Sequence, residues 1–168
     1  MTTTNTIIAT CFIGILGTGV MDVWALILRK MFGIKQLDYA LVGRWVGLMR
    51  HGQFCHRTII TTPSIAGERQ LGWLLHYAIG MACAAVLIAA AGWPWLYAPT
   101  LAPALLVGVS SVIAPLLVMQ PAFGFGFAAT KTSSPLQACL RSLMAHGVFG
   151  IGLYLAARLF NELGCFMP

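Results

Sequence analysis

Four long stretches of the chain are almost entirely apolar, and the segments between them carry most of the charge. They run from about residue 7 to 28, 73 to 93, 101 to 123 and 136 to 160. A helix needs roughly 20 apolar residues to cross the hydrocarbon layer of a bilayer, because that layer is about 30 Å thick. The pattern predicts an all-α membrane protein in which residues 1–168 form a single transmembrane domain of four transmembrane helices.

The connection between the first two stretches has a helical pattern of its own. Asp38 is a suitable N-cap, and apolar residues recur after it at helical spacing. Residues 39–51 are therefore predicted to form an amphipathic helix on the cytoplasmic membrane surface, where Arg44, Trp45 and Arg50 contact anionic lipid. In the alternative interpretation, its apolar side covers the cytoplasmic mouth of the helix bundle as a lid.

Lysine and arginine are concentrated in two of the connections. The cytoplasmic loop of residues 29–72 holds seven of the ten basic residues, and Lys131 and Arg141 accompany the connection between the last two spans. The turn of residues 93–100 has none and is rich in aromatic residues. Because short loops rich in Lys and Arg stay in the cytoplasm, both termini are predicted to be periplasmic.

Composition supports the membrane assignment and limits the partners. The chain is 59% apolar and 8% charged, with a mean hydropathy of +0.85, whereas soluble domains are about a quarter charged. A net charge of +6 would also suit nucleic acid, but the basic residues follow membrane topology. Membrane lipid, and not nucleic acid, is the expected partner.

The chain also contains a weak internal repeat. Residues 76–80 resemble residues 146–150, and the segment 17–33 aligns with 108–124. These matches predict two helical hairpins related by a pseudo-twofold axis along the membrane normal. Chance similarity between apolar segments is the alternative, and it stays open.

Three ionisable side chains lie within the predicted spans, where a charge at mid-membrane costs about 2.5–3.5 kcal/mol. Asp22, His76 and His146 lie at similar depths near the cytoplasmic side. Each belongs to a stripe of small or polar residues spaced four apart, a pattern that lets helices approach closely. They are predicted to converge in a polar site that opens to the cytoplasm.

Two further residues belong to the predicted site. Tyr154 shares the stripe of His146, and Glu68 precedes the second span, at the cytoplasmic rim near Arg69 or Arg141. In the third span, Pro115 cannot donate a backbone hydrogen bond and is predicted to kink the helix.

The predicted site could bind a cation, relay protons or hold the polar end of a small solute. The leading interpretation is a small transporter, or a subunit of one, with a small molecule or ion as substrate. Because four spans enclose little volume, a homo-oligomer is expected. In the alternative, the polar residues only hold helices together, at about 0.6 kcal/mol for each bond, and the protein is a scaffold or accessory protein that binds lipid or a cytoplasmic partner.

No cofactor or metal is expected. A haem held between His76 and His146, or a quinone redox protein, is a less favoured hypothesis, since two histidines at similar depth do not suffice for a haem site. His51, Cys55 and His56 have ligand chemistry, but no second cluster completes four ligands. Recognised catalytic and nucleotide-binding motifs are missing, so an enzyme is not favoured.

Several short motifs point to a known family. They are Met21-Asp22-Val23-Trp24-Ala25-Leu26, residues 39–45, Gly67-Glu68-Arg69, Gly72-Trp73 with residues 76–80, Ala114-Pro115, Gln120-Pro121, and His146 with residues 149–154. Over nearly the whole chain they resemble the bacterial membrane family labelled domain of unknown function 2938. The resemblance implies a multi-pass inner-membrane protein of a Gram-negative bacterium and includes Asp22, Glu68, His76 and His146 in the family pattern. It implies no activity, and residues 51–57 match no family motif.

Overall fold

Every regular element is helical in the part of the chain that the computed structural model describes, residues 3–34 and 36–164. Lys35, one of the basic loop residues, lies outside these ranges. The α-helices are α1 Thr3–Phe32, α2 Tyr39–Met49, α3 Glu68–Ala91, α4 Trp93–Tyr97, α5 Leu101–Ser110, α6 Gln120–Ala122 and α7 Pro135–Glu162.

Four helical segments are long and apolar enough to cross a membrane, which confirms the predicted fold class. They are Thr3–Phe32, Glu68–Ala91, Leu101–Ala122 and Pro135–Glu162. Most of them extend beyond the predicted limits, because helices continue past the apolar window into polar turns. Arg29 and Lys30, for example, lie in the last turn of α1, where positive charge interacts favourably with the helix dipole. The protein is a multi-pass membrane protein.

The third span is irregular around Pro115, where a kink was predicted. Helix α5 ends at Ser110, and a π-helix occupies Pro115–Met119 before α6 begins. In the π-helix the backbone N–H of Gln120 donates to the carbonyl of Pro115, a step of five residues instead of four. The missing N–H of the proline explains why the regular hydrogen-bond ladder breaks in this segment.

Helix α4 was not predicted, since the sequence indicated only a turn rich in aromatic residues. Pro94 suits the first turn of a helix, where an N–H has no partner within the helix. Within this short helix Trp95 is 7% exposed, and its indole N–H donates to the carbonyl of Thr100 at 3.2 Å. Trp95 therefore packs in the protein core at the end of the second span.

The described residues fall into two compact units. Unit 1 contains residues up to 34, 77–111 and 145–164, and unit 2 contains 36–76 and 112–144. The core of unit 1 is built from large apolar side chains of the spans and of α4, among them Ile13, Leu87, Leu96, Leu153 and Phe160.

Glycines mark the places in unit 1 where spans approach most closely. A Cβ on Gly14 would lie 2.5 Å from Cα of Met81, and one on Gly80 would overlap the Thr18 hydroxyl. In the second hairpin, a Cβ on Gly108 would overlap Cα of Gly150. Gly80 and Gly150 hold equivalent positions in the sequence repeat, so each hairpin has a close glycine contact at the same repeat position.

In unit 2, α2 packs on the first turns of α3. A Cβ on Gly43 would overlap the carbonyl oxygen of Glu68, and one on Gly72 would overlap that of Tyr39. Asp38 caps α2 as predicted, since its side chain accepts from the N–H of Ala40 at 3.0 Å. The predicted amphipathic helix therefore exists, and it ends at Met49, two residues earlier than expected.

The segment that follows α2 is held against the end of the third span. The N–H of His56 donates to the carbonyl of Ala122 at 2.8 Å, and that of Ile59 donates to Phe123 at 2.9 Å. These bonds satisfy carbonyls that a helix C-terminus leaves without partners. Val42, Ile59 and Phe123 form the small core beneath.

Candidate functional site

Asp22 is bound by a tyrosine of the neighbouring span. The hydroxyl of Tyr77 in α3 donates to Oδ2 of Asp22 in α1 at 2.9 Å, and both side chains are partly buried in unit 1. An ionised carboxylate only accepts hydrogen bonds, and a bond to a charged group is stronger than a neutral one. Sequence reasoning missed Tyr77 as a partner, although it lies within the repeated segment 76–80.

His146 is paired with Ser111. The serine Oγ lies 2.7 Å from Nδ1 of His146 and 2.6 Å from the carbonyl oxygen of Gly108. A carbonyl can only accept, so the single hydroxyl hydrogen goes to Gly108 and His146 donates from Nδ1 to Ser111. The neutral imidazole therefore has its lone pair on Nε2, the atom that can take up a proton.

The glycine contact between α5 and α7 explains why Ser111 meets His146. Besides Gly150, the closest neighbours of a Cβ on Gly108 include the carbonyl of His146. Ser111 follows Gly108 by about one helical turn, and His146 precedes Gly150 by about one turn. Two antiparallel helices that touch at these glycines bring the serine and histidine side chains into reach.

His76 lies in unit 2, where aromatic rings surround it. Its imidazole stacks on Tyr39, with ring centroids 4.0 Å apart, and Trp73 meets it edge to face at 5.8 Å. Tyr39 is the first residue of α2, so the loop helix supplies a ring to a predicted site residue. No feature of the sequence pattern indicated this contact.

Glu68 forms an ion pair with Arg44, a partner that the sequence analysis did not name. Nε and Nη2 of Arg44 donate to the two carboxylate oxygens at 2.8 and 2.7 Å, and the side chains are only 11% and 14% exposed. The physical reason is the close packing of α2 on α3 through Gly43, which places Arg44 directly over the start of α3.

Arg44 also binds the backbone of the loop. Its Nη1 donates to the carbonyl oxygens of Ile59 and Thr62 at 3.1 and 2.7 Å. The hydrogen bonds to Glu68, opposed by burial, raise the pKa of Arg44 above its ordinary value. The guanidinium therefore connects α2, the loop after it and the first turn of α3.

Trp45 and Arg50, the other two residues predicted to contact lipid, have different surroundings. The indole of Trp45 donates to the carbonyl of Phe54 at 2.8 Å and meets Phe123 edge to face. Arg50 is exposed, and its Nε lies 3.1 Å from Nε2 of His51. Arg44 and Trp45 thus make internal contacts in unit 2, whereas Arg50 faces outward.

Tyr154 lies farther along α7 than His146, the other predicted site residue of that helix. Its hydroxyl accepts from Nη1 of Arg158 at 3.3 Å, and Arg158 also pairs with Glu162 at 3.3 Å. Both of these partners are exposed, near the C-terminal end of α7.

The structure therefore brings together two polar pairs on neighbouring spans of unit 1, Asp22 with Tyr77 and His146 with Ser111. Convergence of both pairs with His76 stays a prediction. Among residues 3–34 and 36–164, no group of three or more His, Cys, Asp or Glu is placed to hold a metal ion.

The comparison with protein families gives a match over most of the chain. A family model described as protein of unknown function (DUF2938) matches residues 11–160, which confirms the resemblance drawn from the sequence motifs. Neither the curated proteins nor the solved structures contain a match to the chain.

Proposed function

We propose that this chain, which belongs to the DUF2938 family of unknown function, moves protons or a small solute across the bacterial inner membrane. The proposed site includes Asp22 and His146, with His76 as its third predicted member. Both termini are proposed to be periplasmic, and a homo-oligomer is proposed to complete the pathway, because four spans enclose little volume.

The observation that carries this proposal is the carboxylate of Asp22 within a span, bonded to the Tyr77 hydroxyl. A charge at mid-membrane costs about 2.5–3.5 kcal/mol, whereas a hydrogen bond between spans returns about 0.6 kcal/mol on average. A neutral Asn could hydrogen-bond between the helices at a lower free-energy cost of insertion into the membrane. An ionisable group in this place is therefore better explained by a role that uses its charge or its proton.

The Ser111–His146 pair supports the proton-linked form of the proposal. Ser111 holds the ring through Nδ1, so the neutral imidazole offers Nε2 to a proton. Histidine is suited to a relay because small changes in its environment move its charge across physiological pH.

A flux measurement tests the proposal. The purified protein is reconstituted in liposomes that contain a pH-sensitive dye, and valinomycin with a potassium gradient imposes a membrane potential. We expect proton flux above that of protein-free liposomes, and we expect Asp22→Asn to abolish the excess. Glu162→Gln is the matched control, because this carboxylate is exposed at the end of α7 and should leave the flux unchanged.

Two results would contradict the proposal. Full flux in Asp22→Asn would remove the carboxylate from the mechanism. Equal dye signals from liposomes with and without the wild-type protein would contradict the proton-linked form of the proposal.

A scaffold that docks lipid or a cytoplasmic partner is the second candidate, and the exposed basic residues favour it. Arg50 and Arg57 of the loop and Arg69 in the first turn of α3 are all exposed. Each basic residue near an anionic bilayer surface contributes about 1 kcal/mol to binding. If this candidate is correct, exchanging the three arginines for Gln abolishes complementation in cells that lack the protein, and Asp22→Asn does not.

A further inference from the structure

The first residue of the loop helix α2 lies on the imidazole of His76. The rings of Tyr39 and His76 are stacked, with centroids 4.0 Å apart and an angle of 24° between their planes. Trp73, three positions before His76 on α3, meets the imidazole edge to face at 5.8 Å and the phenol at 4.8 Å. One face of the imidazole is therefore covered by a residue that lies outside the four candidate spans.

Close backbone packing determines where Tyr39 meets α3. A Cβ on Gly72 would overlap the carbonyl oxygen of Tyr39, and one on Gly43 would overlap that of Glu68. One turn forward along α2, from Tyr39 to Gly43, thus corresponds to one turn back along α3, from Gly72 to Glu68. The two helices are antiparallel here. Since His76 follows Gly72 by about one turn, it lies at the end of α2 that carries Tyr39.

The ion pair of Arg44 holds α2 in this register. Arg44 follows Gly43 directly, and its guanidinium binds both carboxylate oxygens of Glu68, at 2.8 and 2.7 Å. The donors of a guanidinium form a rigid planar fork, so a bidentate pair fixes direction as well as distance. Helix α2 has 11 residues, a length at which an isolated helix is marginal in water. Its position therefore depends on contacts such as this one.

A fixed ring plane matters for a histidine that handles protons. Both ring nitrogens lie in the plane of the imidazole, and the torsion that sets this plane is broad when nothing packs on the ring. An aromatic pair contributes a preference of about two- to tenfold for its packed geometry. Tyr39 thereby limits the directions in which His76 can donate or accept a proton.

We propose that Tyr39 is a positioning residue of the proposed site. Helix α2, anchored at Glu68, holds the phenol ring on His76 and so fixes the plane of the imidazole for proton exchange. This gives the loop helix a role in proton movement in addition to its structural contacts within unit 2. The inference rests on the proposed function, since His76 is a predicted member of that site, but the geometry is measured separately from the flux.

NMR of histidine-labelled protein in phospholipid nanodiscs measures the geometry. The Cε1–H signal of His76 is assigned by its loss in His76→Gln. Tyr39→Leu should move this signal downfield, because the phenol no longer shields the imidazole, and Tyr39→Phe should retain the wild-type position, because it keeps the ring. Tyr97→Leu, the same replacement at an exposed tyrosine of α4, is the matched control and should leave the signal unchanged.

Proton flux in liposomes measures the consequence of this geometry. We expect about fivefold lower flux in Tyr39→Leu, within the range given by the loss of one aromatic pair. Tyr39→Phe should keep the wild-type flux because it preserves the stack, and Tyr97→Leu should keep it because the residue lies outside the site.

A double-mutant cycle tests whether the ion pair acts through Tyr39. Arg44→Lys keeps the positive charge but loses the planar fork, and it should move the His76 signal in the same direction as Tyr39→Leu. In the Tyr39→Leu background, the same exchange should have no further effect on the signal. Arg50→Lys is the control, because Arg50 is exposed, and it should leave the signal unchanged.

A wild-type His76 signal in Tyr39→Leu would overturn the inference, because the phenol would then not hold the ring. A moved signal with wild-type flux would overturn it as well, since the stack would then be only structural. Additive effects of Arg44→Lys and Tyr39→Leu would overturn the role of α2 as the anchored support. Absence of flux in the wild-type protein would contradict the proposed function, whereas the His76 signal would still show whether Tyr39 holds the imidazole.

Discussion

The two units use polar side chains in different ways. In unit 2, Arg44 makes four hydrogen bonds, two to the carboxylate of Glu68 and two to backbone carbonyls of the loop. In unit 1, the polar contacts between spans include those of Tyr77 with Asp22 and of His146 with Ser111. In unit 2 a guanidinium network holds the loop, whereas in unit 1 the polar groups pair a carboxylate with a phenol and an imidazole with a hydroxyl.

The difference follows from what else stabilises each unit. The spans of unit 1 already meet at glycines and bury a large apolar core. Among the described residues, the core cluster of unit 2 is smaller, with Val42, Ile59 and Phe123 as its buried members. We infer that the ion pair stabilises unit 2, while the polar pairs of unit 1 are available for chemistry. Four predictions test this inference, in order of decreasing effect on stability.

Breaking the ion pair should have the largest effect. We expect Arg44→Ala to lower the free energy of unfolding by about 3 kcal/mol, because it leaves the largely buried carboxylate of Glu68 without its cationic partner. Unfolding by SDS in mixed micelles provides the measurement. Arg50→Ala is the control, since Arg50 is exposed, and it should change the free energy little. If the two variants are equally stable, the network does not hold unit 2.

Replacing a glycine of unit 1 should have the second-largest effect on stability. Gly108→Ala adds one methyl group that overlaps the backbone of Gly150, and we expect a loss of about 2 kcal/mol from the forced separation of α5 and α7. Gly147→Ala is the matched control on α7, because nothing lies within 4 Å of its added Cβ. Alanine has the higher helix propensity, so the control should be neutral or slightly stabilising. A loss of stability in both variants would indicate a general effect of glycine replacement.

The helices and their close contacts were accessible from the sequence because they depend on local pattern. Apolar runs set the spans, Asp38 identified the start of α2, and Gly80 and Gly150 lay on the predicted small-residue stripes. Each of these features is decided by residues within about four positions along the chain, which is the range over which helical spacing acts.

The partners of the polar residues were not accessible in this way. Tyr77 follows His76 directly, and hydropathy does not show which of the two side chains faces Asp22. The sequence pattern predicted that Arg44 contacts lipid. Its partner Glu68 is 24 residues away, and the packing at Gly43 brings the two side chains together. Helix rotation and long-range pairing depend on tertiary packing, which a single sequence does not display.

The third prediction concerns Ser111. Ser111→Ala removes the acceptor for Nδ1 of His146, and we expect a loss of about 1 kcal/mol, within the range measured for bonds between spans. Nitrogen NMR of the imidazole provides a second measurement, because the Nδ1–H tautomer should lose its preference over Nε2–H. Ser110→Ala, which alters the neighbouring hydroxyl, should leave the tautomer unchanged. An unchanged tautomer in Ser111→Ala would show that another group orients the ring.

The smallest effect on stability should come from Tyr77→Phe, and it distinguishes a functional site from a purely structural contact. Removing the hydroxyl deletes one bond to Asp22, so we expect a loss of about 0.6 kcal/mol, the average for hydrogen bonds between spans. Tyr97→Phe is the matched control, because Tyr97 is an exposed tyrosine of α4 outside the proposed site. If the pair serves function, Tyr77→Phe should alter proton flux in liposomes far more than this small loss of stability suggests, and Tyr97→Phe should not. A variant that loses stability but keeps its full flux would instead assign Tyr77 and Asp22 to holding α1 against α3. The spans would then use their polar side chains as unit 2 uses Arg44.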